Sequence, residues 1–190
     1  MAVLIPGKIL YLRTPCTAST VTERAIIESS EDRVRIRPGH CTAADVYCGR
    51  ALTTEGEKAN EFRAGNELVV TTVRNPYDMA VSWFHKVCRA EGSFPDFLKG
   101  FNKMPFVCDH RMYAQAIGCR HVMRYERLAA DVAELGDMLG LRIVLARDNV
   151  TKGKREWRSY YTQASLDVMN DRFGHEFGKW YSVVRRVDSL

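Results

Sequence analysis

The 190-residue sequence lacks a long apolar run, a C-x-x-C pair and a glycine-rich loop of the form G-x-x-x-x-G-K-[ST]. Its first residues, MAVLIPGKILYLRT, are apolar only over a short run that Pro6 and Gly7 interrupt. We therefore expect neither a signal peptide nor a membrane-spanning segment. Because both the glycine-rich loop and its lysine are missing, an ordinary P-loop ATPase or kinase is not favoured. There is also no repeat and no low-complexity segment.

Cysteines are few and scattered, and their spacing does not match a zinc site. Without an export signal, we expect reduced thiols in a cytoplasmic protein, and a disulfide framework is the less favoured alternative. No metal is expected, since no cluster of metal ligands is visible. The six cysteines are Cys16, Cys41, Cys48, Cys88, Cys108 and Cys119.

The composition is that of a folded protein with a mild excess of positive charge. Hydrophobic residues make up 46% of the chain and aromatic residues 10%, which is enough for a core, and the length predicts one domain over residues 1–190. The net charge of +5 favours anionic ligands. The basic residues are spread along the chain among acidic neighbours, so a nucleic-acid-binding domain is not favoured.

Apolar periodicity predicts strands that alternate with helices. Strands are predicted at residues 8–14, 33–39, 67–75, 121–128 and 141–146. Helices are predicted at 21–29, 42–52, 76–88, 94–101, 109–118 and 129–140, and 147–190 forms a basic loop followed by a helical C-terminal portion. Residues 53–66 are predicted as a surface loop or a frayed helix.

This alternation predicts an α/β fold, a single-domain three-layer sandwich with a central, mostly parallel sheet covered on both faces. In such folds ligands bind beyond the carboxyl ends of the strands. The turns after Arg13, Arg37 and Val73 are expected to open on that edge.

The turn after the strand predicted at 8–14 reads TPCTAST, residues 14–20, and it leads into a helix. The backbone N–H groups of such a turn, together with the hydroxyls of Thr17, Ser19 and Thr20, are donors suited to a phosphate-like anion. Taken alone, the segment is equally compatible with an ordinary helix start capped by serine or threonine.

A second segment, TTVRNPYDMAVSWFHK at residues 71–86, places Arg74 at a strand end and Ser82 two helical turns later. Arginine can bind phosphate through two N–H groups, and a serine hydroxyl can donate to the same group. The alternative is that Arg74 pairs with Asp78 and that Ser82 is a neutral helix residue.

Together, in this order, the two segments resemble sulfotransferases that use 3′-phosphoadenosine 5′-phosphosulfate. PCTAST resembles the family's 5′-phosphosulfate loop, P-K-T-A/G-S/T-T, and VRNPYDMAVSWF resembles its 3′-phosphate motif, R-[DN]-P-x-x-x-x-x-S. PGHCTAADV is similar to a G-H segment of carbohydrate sulfotransferases, RYERL to a Y-E-x-L segment, and TKGKREWRSYYT to a late K-G and tryptophan stretch. The matched segments span residues 8–181.

The resemblance implies a P-loop nucleotide-hydrolase-like sulfotransferase fold and a sulfonyl transfer to an acceptor hydroxyl, with a carbohydrate as the favoured acceptor. It makes His40 the catalytic base and 3′-phosphoadenosine 5′-phosphate the product, and it requires no metal. Arg74 and Ser82, with Lys152 and Gly153, would hold the 3′-phosphate. The residues implied at the 5′-phosphosulfate are Arg13, Cys16, Thr17, Ala18, Ser19 and Thr20.

Cys16 departs from the family pattern, which has a lysine at this position. A cysteine cannot supply the positive charge that steadies the leaving oxygen, and at a helix start its thiol tends toward thiolate. Arg13 or a basic residue between 152 and 155 could replace that charge. Otherwise the protein binds the nucleotide but turns over slowly or not at all, or Cys16 acts as a nucleophile in other chemistry.

Two functional alternatives stay open beside the sulfotransferase. One is a weakened or inactive module that binds the nucleotide, and the other is a P-loop-type nucleotide kinase. The expected partners are the nucleotide donor and a hydroxyl acceptor, which could be a glycan. Neither nucleic acid nor stable membrane insertion is expected. The oligomeric state cannot be inferred from the sequence.

Overall fold

A computed structural model describes residues 2–14, 16–37, 46, 48, 50, 52–87, 92–100, 119–146, 156–178, 181 and 183–186. The chain divides into two compact units, the first formed by Met1–Val73 and Gln115–Asn149 and the second by Arg74–Ala114 and Val150–Leu190. The single domain over residues 1–190 stays a prediction, and each unit is described by itself.

The described elements alternate between strands and helices for much of the chain, which confirms the α/β class. The strands are β1 (Ala2–Ile5), β2 (Ile9–Leu12), β3 (Val34–Arg37), β4 (Leu52–Thr53), β5 (Leu68–Val73) and β6 (His121–Arg124). The helices are α1 (Ser19–Glu28), α2 (Pro76–Val87), α3 (Phe94–Gly100), α4 (Leu128–Leu139) and α5 (Gln163–Phe177). Short 3-10 turns cover Ala59–Phe62, Tyr125–Arg127 and Trp157–Tyr160.

The six strands of the first unit form one mixed sheet in the order β4-β3-β1-β2-β5-β6. The prediction of a mostly parallel sheet is wrong, because β1 pairs antiparallel with both β2 and β3, and β3 with β4. The cause is a hairpin that the sequence analysis missed. Pro6 and Gly7 form a tight turn in which the Lys8 N–H donates to the Ile5 carbonyl at 3.0 Å, and Gly7 has a φ of 69°.

The direction of the strands nevertheless agrees with the predicted ligand edge. Since β1 is antiparallel to both β2 and β3, those two strands run the same way, and β5 and β6 continue parallel to β2. The chain therefore leaves β2, β3, β5 and β6 at one edge of the sheet. This confirms that the turns after Arg13, Arg37 and Val73 follow strands with a common direction.

Both faces of this sheet are buried, as the nearly continuous apolar strands require. Leu4, Leu10 and Leu12 face one side, where Val46 and the turn at Ala59–Phe62 cover them. On the opposite face Val3, Ile5, Ile9 and Tyr11 pack against apolar residues of α1 and α4. These two cores hold the sheet in place beneath the loop between β2 and α1.

Two predicted elements of the first unit differ in the structure. Residues 141–146 form no strand, because the segment pairs with none of the described strands; Leu141, Ile143 and Leu145 instead pack on the core beside α4. The strand predicted at 121–128 ends at Arg124, where a 3-10 turn leads into α4. The helices predicted at 42–52 and 109–118 lie mostly or wholly outside the described residues.

The second unit is helical in the residues that the structure describes. Its first helix, α2, begins as predicted, since the Asn75 side chain accepts the N–H groups of Tyr77 and Asp78. Tyr77 then stacks on Trp157 with ring centroids 5.4 Å apart, and its hydroxyl donates to Asn170 Oδ1 at 2.6 Å. These contacts fix α2 against the 3-10 turn at Trp157–Tyr160 and against α5.

Within the described part of the chain, no helix is both long enough and apolar enough to cross a membrane. The three described cysteines, Cys16, Cys48 and Cys119, form no disulfide.

Glu67 joins the hairpin turn to the segment before β5. Its carboxylate accepts the N–H groups of Gly7, Ala64 and Gly65 at 2.6 to 3.3 Å, and Arg63 Nη2 lies 3.2 Å from it. Burial alone would raise the pKa of Glu67, but the backbone N–H donors and the Arg63 guanidinium bring the pKa below its ordinary value of 4.5.

We expect Glu67→Gln to lower the free energy of unfolding by about 2 kcal/mol near neutral pH, because several hydrogen bonds to a buried carboxylate are weakened. Since the pKa is lowered in the folded state, this stabilisation is complete above pH 4.5 and is lost as the pH falls through the folded pKa. Urea unfolding between pH 3 and 7 measures both effects. The exposed Glu61→Gln is the matched control, and equal losses in both variants would contradict this role of Glu67.

Candidate functional site

The loop between β2 and α1 has an unusual backbone. Cys16 and Ala18 both have a φ of 56°, in the left-handed region that residues with a Cβ rarely adopt. Each such residue costs on the order of 1 kcal/mol, and conformations of this kind persist where the surroundings enforce them, often at binding sites. Turns that combine left- and right-handed residues point successive N–H groups into a concavity that suits an anion.

A buried network of hydroxyls enforces this backbone. Thr17 Oγ1 donates to the Thr14 carbonyl at 2.9 Å and lies 2.8 Å from Thr14 Oγ1, which itself donates to the Thr72 carbonyl. Below it, the Tyr11 hydroxyl lies 3.2 Å from Thr72 Oγ1, and burial raises the pKa of Tyr11 to about 12, so the phenol stays protonated. The hydroxyl of Thr17 thus serves the loop, and only its backbone N–H could serve a ligand.

The other two hydroxyl residues of the loop differ in their exposure. The Ser19 side chain is buried. Thr20 is exposed, and its Oγ1 accepts a hydrogen bond from Arg13 Nη2 at 2.9 Å. Because Thr20 Oγ1 accepts in this contact, its own proton can still be donated, and both hydroxyls are candidate donors to an anion.

Arg13 is the cation that the structure places beside this loop. Its Nη1 lies 2.7 Å from Glu23 Oε2, and the two side chains are only 17% and 6% exposed. Arg13 Nε is buried and has no hydrogen-bond partner among the described residues. The charge that could replace the missing lysine is therefore present, but a buried carboxylate of α1 neutralises it.

In the second unit, Arg74 lies two residues before α2 begins, and Ser82 lies in the second turn of that helix. Arg74 is buried, and its Nε and Nη2 donate to Asp78 Oδ2 at 2.8 and 2.6 Å. The alternative pairing of Arg74 with Asp78 is thus confirmed. Ser82 is 5% exposed, and its Oγ has no hydrogen-bond partner in the described part of the chain. A buried hydroxyl without a partner is rare in folded proteins, and a bound water, ion or ligand group is one way to satisfy it.

The remaining predicted site residues are His40, Lys152 and Gly153, and all three lie outside the described residues. In the first unit, the structure brings Arg13 into contact with Thr20 of the loop. In the second unit, Arg74 precedes α2 and contacts Asp78, and Ser82 lies within that helix. Among the described residues, no group of three or more His, Cys, Asp or Glu side chains is arranged to hold a metal.

Two contacts at the loop are absent from the sequence-based predictions, that of Arg13 with Glu23 and that of the Thr14 hydroxyl with Thr72. Thr14 and Thr72 are 58 residues apart, and they meet only because β2 and β5 are neighbours in the sheet. Glu23 lies ten residues after Arg13, a spacing that predicts no contact without knowing how the loop turns. The pairing of Arg74 with Asp78 could be predicted, because Asp78 follows Arg74 at the four-residue spacing of a helical pair.

Comparison of the chain with protein-family models and with curated proteins finds no match. The resemblance to sulfotransferases therefore depends on the motifs of this chain.

We expect Ala18→Gly to leave the free energy of unfolding within about 0.5 kcal/mol of wild type, or to raise it. Glycine adopts the left-handed conformation without strain, and this gain offsets its larger entropy loss on folding. Ala133→Gly, at an exposed position in the middle of α4, is the matched control and should lose about 1 kcal/mol. Chemical denaturation of both variants checks this, and an equal loss at Ala18 would mean that the loop is not strained there.

Proposed function

We propose that this protein is a sulfotransferase that moves a sulfonyl group from 3′-phosphoadenosine 5′-phosphosulfate to an acceptor hydroxyl, with a carbohydrate as the favoured acceptor. The observation that carries the proposal is the strained, hydroxyl-supported loop of Cys16–Ala18 at the carboxyl end of β2. β2 is the parallel neighbour of β5, and the R-N-P-x-x-x-x-x-S motif begins at the residue after β5. The proposal includes the P-loop-like sulfotransferase fold and a cytoplasmic location.

In this proposal the loop holds the 5′-phosphosulfate. The backbone N–H groups of Cys16–Thr20 and the Ser19 hydroxyl are the donors, and α1 adds the positive end of its dipole. The Thr14 and Thr17 hydroxyls do not touch the ligand but hold the backbone in the required shape. A preformed set of donors is what sulfonyl transfer needs, since catalysis of such transfers is largely positioning and charge stabilisation.

Arg74 and Ser82 hold the 3′-phosphate in this proposal. The guanidinium of Arg74 has five N–H donors, and the Asp78 carboxylate oxygen accepts from two of its nitrogens. The unpartnered Ser82 hydroxyl supports the assignment, because a phosphate oxygen would satisfy it.

The reaction requires an acceptor oxygen to attack sulfur while the bond from sulfur to the bridging oxygen breaks and 3′-phosphoadenosine 5′-phosphate leaves. The proton of the acceptor hydroxyl passes to a base, and His40 stays the predicted base. Lys152 and Gly153 stay predicted contacts of the 3′-phosphate. Negative charge develops on the leaving oxygen, and the nearby described cation, Arg13, is paired with Glu23.

That pairing favours a second candidate function, a module that binds the nucleotide with little or no turnover. Cys16 supplies no positive charge, and Glu23 neutralises the charge that Arg13 could supply. Loss of one donor to a developing oxyanion costs roughly 3 kcal/mol of barrier, which slows a reaction without abolishing binding. No described feature favours a nucleotide kinase.

Calorimetric titration with 3′-phosphoadenosine 5′-phosphate tests the nucleotide site. We expect wild type to bind in the micromolar range, Arg74→Ala to bind at least about tenfold more weakly, and Ser82→Ala about fivefold more weakly, since a charged and a neutral donor are lost. Arg142→Ala removes an exposed arginine of the first unit and should leave the affinity unchanged. Absence of binding by wild type, or equal losses at Arg74 and Arg142, would contradict the proposed function.

Cys16→Lys and Glu23→Gln test whether a missing charge limits turnover. Both should raise the rate of sulfonyl transfer or donor hydrolysis, because the first adds a cation to the loop and the second leaves Arg13 without its counter-charge. Glu28→Gln, at an exposed position in the last turn of α1, should change nothing. The release of sulfate measures hydrolysis of the donor, and this assay needs no acceptor other than water. If wild type is fast and neither variant is faster, another group supplies the charge.

A further inference from the structure

Asp78 forms an ion pair with Arg74, the arginine assigned to the 3′-phosphate. A single oxygen, Oδ2, accepts from both Nε and Nη2 of Arg74, at 2.8 and 2.6 Å. The Arg74 side chain is 7% exposed and that of Asp78 is 14% exposed. At such low exposure the pair is weakly screened by solvent, so the carboxylate cancels most of the charge that an incoming anion would meet.

The position of Asp78 on its helix adds to this effect. Asp78 lies in the first turn of the twelve-residue helix α2, and its own N–H donates to Asn75 Oδ1. The N-terminal turn of a helix favours one negative group, and here the protein supplies it. A phosphate bound at the same turn would be repelled by the carboxylate and would share both the helix dipole and the guanidinium with it.

Ser82 provides a second observation on the same helix. Ser82 follows Asp78 by four residues, which places both on one face of α2. Its hydroxyl is buried and has no partner among the described residues. The hydroxyl of a serine inside a helix can donate a hydrogen bond to the carbonyl four residues earlier, and Ser82 makes no such bond.

We propose that Asp78 is an internal competitor of the bound anion, a carboxylate that holds Arg74 in the absence of ligand and keeps the affinity for the 3′-phosphate low. This inference rests on the proposed function, and it adds a residue that sets how tightly that site binds. Because affinity differences at one site arise mostly in the dissociation rate, the carboxylate would speed the release of 3′-phosphoadenosine 5′-phosphate. A transferase gains from this whenever product release limits turnover.

The test compares Asp78→Asn with Asp96→Asn by calorimetry, using 3′-phosphoadenosine 5′-phosphate and inorganic sulfate as separate probes at one ionic strength. Asp96 is a matched control, since it is an exposed aspartate of the same unit that pairs with Lys99. We expect Asp78→Asn to bind both probes at least about tenfold more tightly, the change that follows when a close, poorly screened negative charge is removed. Asp96→Asn should stay within about twofold of wild type.

Two further variants identify the cause. Asp78→Glu keeps the negative charge and should bind as weakly as wild type. The double variant Asp78→Asn with Arg74→Ala should lose the gain, because the anion then has no guanidinium to bind. A dissociation rate of the nucleotide that falls in Asp78→Asn, with the association rate nearly unchanged, is the kinetic result that we expect.

The outcomes separate this inference from the proposed function. If wild type binds the nucleotide but Asp78→Asn binds it equally or more weakly, Asp78 orients Arg74 instead of competing, and the inference is overturned. If Asp78→Asn gains affinity for sulfate while no form binds the nucleotide, the inference stands and the nucleotide site does not. If Asp78→Asn fails to fold at every concentration of either probe, the carboxylate is part of the fold and cannot be exchanged for an anion.

Discussion

The parallel pairing of β2 with β5 is the interaction on which the candidate site depends. In this register Leu12 is paired with Thr71, the last pair of the ladder. Two hydroxyls add hydrogen bonds at this end of the strands: Thr71 donates to the Leu12 carbonyl, and Thr14 donates to the Thr72 carbonyl. The strand end therefore has a defined position, and the loop that follows can be held in a strained conformation. Without that support, the left-handed residues Cys16 and Ala18 would relax to a commoner backbone.

Electrostatics follow one rule in three places of the chain. Among the arginines whose burial the structure describes, each one that is partly or wholly buried has a carboxylate of the same unit as acceptor: Glu23 for Arg13, Glu67 for Arg63, and Asp78 for Arg74. Burial of a lone guanidinium is costly, and the pairing removes that cost. At Arg63 the pair supports the fold. At Arg13 and Arg74 the same arrangement lowers the positive charge that an anion would meet. In the proposed function, stability of the folded chain and affinity for the ligand would therefore oppose each other.

In the proposed function, this opposition bears on Cys16, the position at which the sulfotransferase motif that the loop resembles has a lysine. A loop lysine would leave a positive charge in contact with the ligand, whereas here the cation beside the loop is Arg13, which already has a carboxylate partner. The loop keeps its shape through hydroxyls and backbone, and its charge is close to balanced. Shape and charge are thus separate properties of this loop, and the proposed function depends on both.

Much of the local structure could be predicted from the sequence, because it depends on neighbouring residues. Asn75 and Pro76 start α2 as their capping chemistry requires, the apolar run at 67–75 forms the long strand β5, and the spacing of Arg74 and Asp78 predicts their ion pair. The direction of the strand ends also followed from the alternation of strands and helices.

What only the tertiary structure decided is how distant segments pair. The hairpin of β1 and β2 was missed because Pro6 and Gly7 interrupt an apolar run equally well as a loop or as a tight turn. The contact of Thr14 with Thr72, and that of Arg13 with Glu23, depend on sheet register and on the path of the loop, which no local pattern encodes. Residue type determined which groups could bind an anion, and packing decided which of them already have a partner.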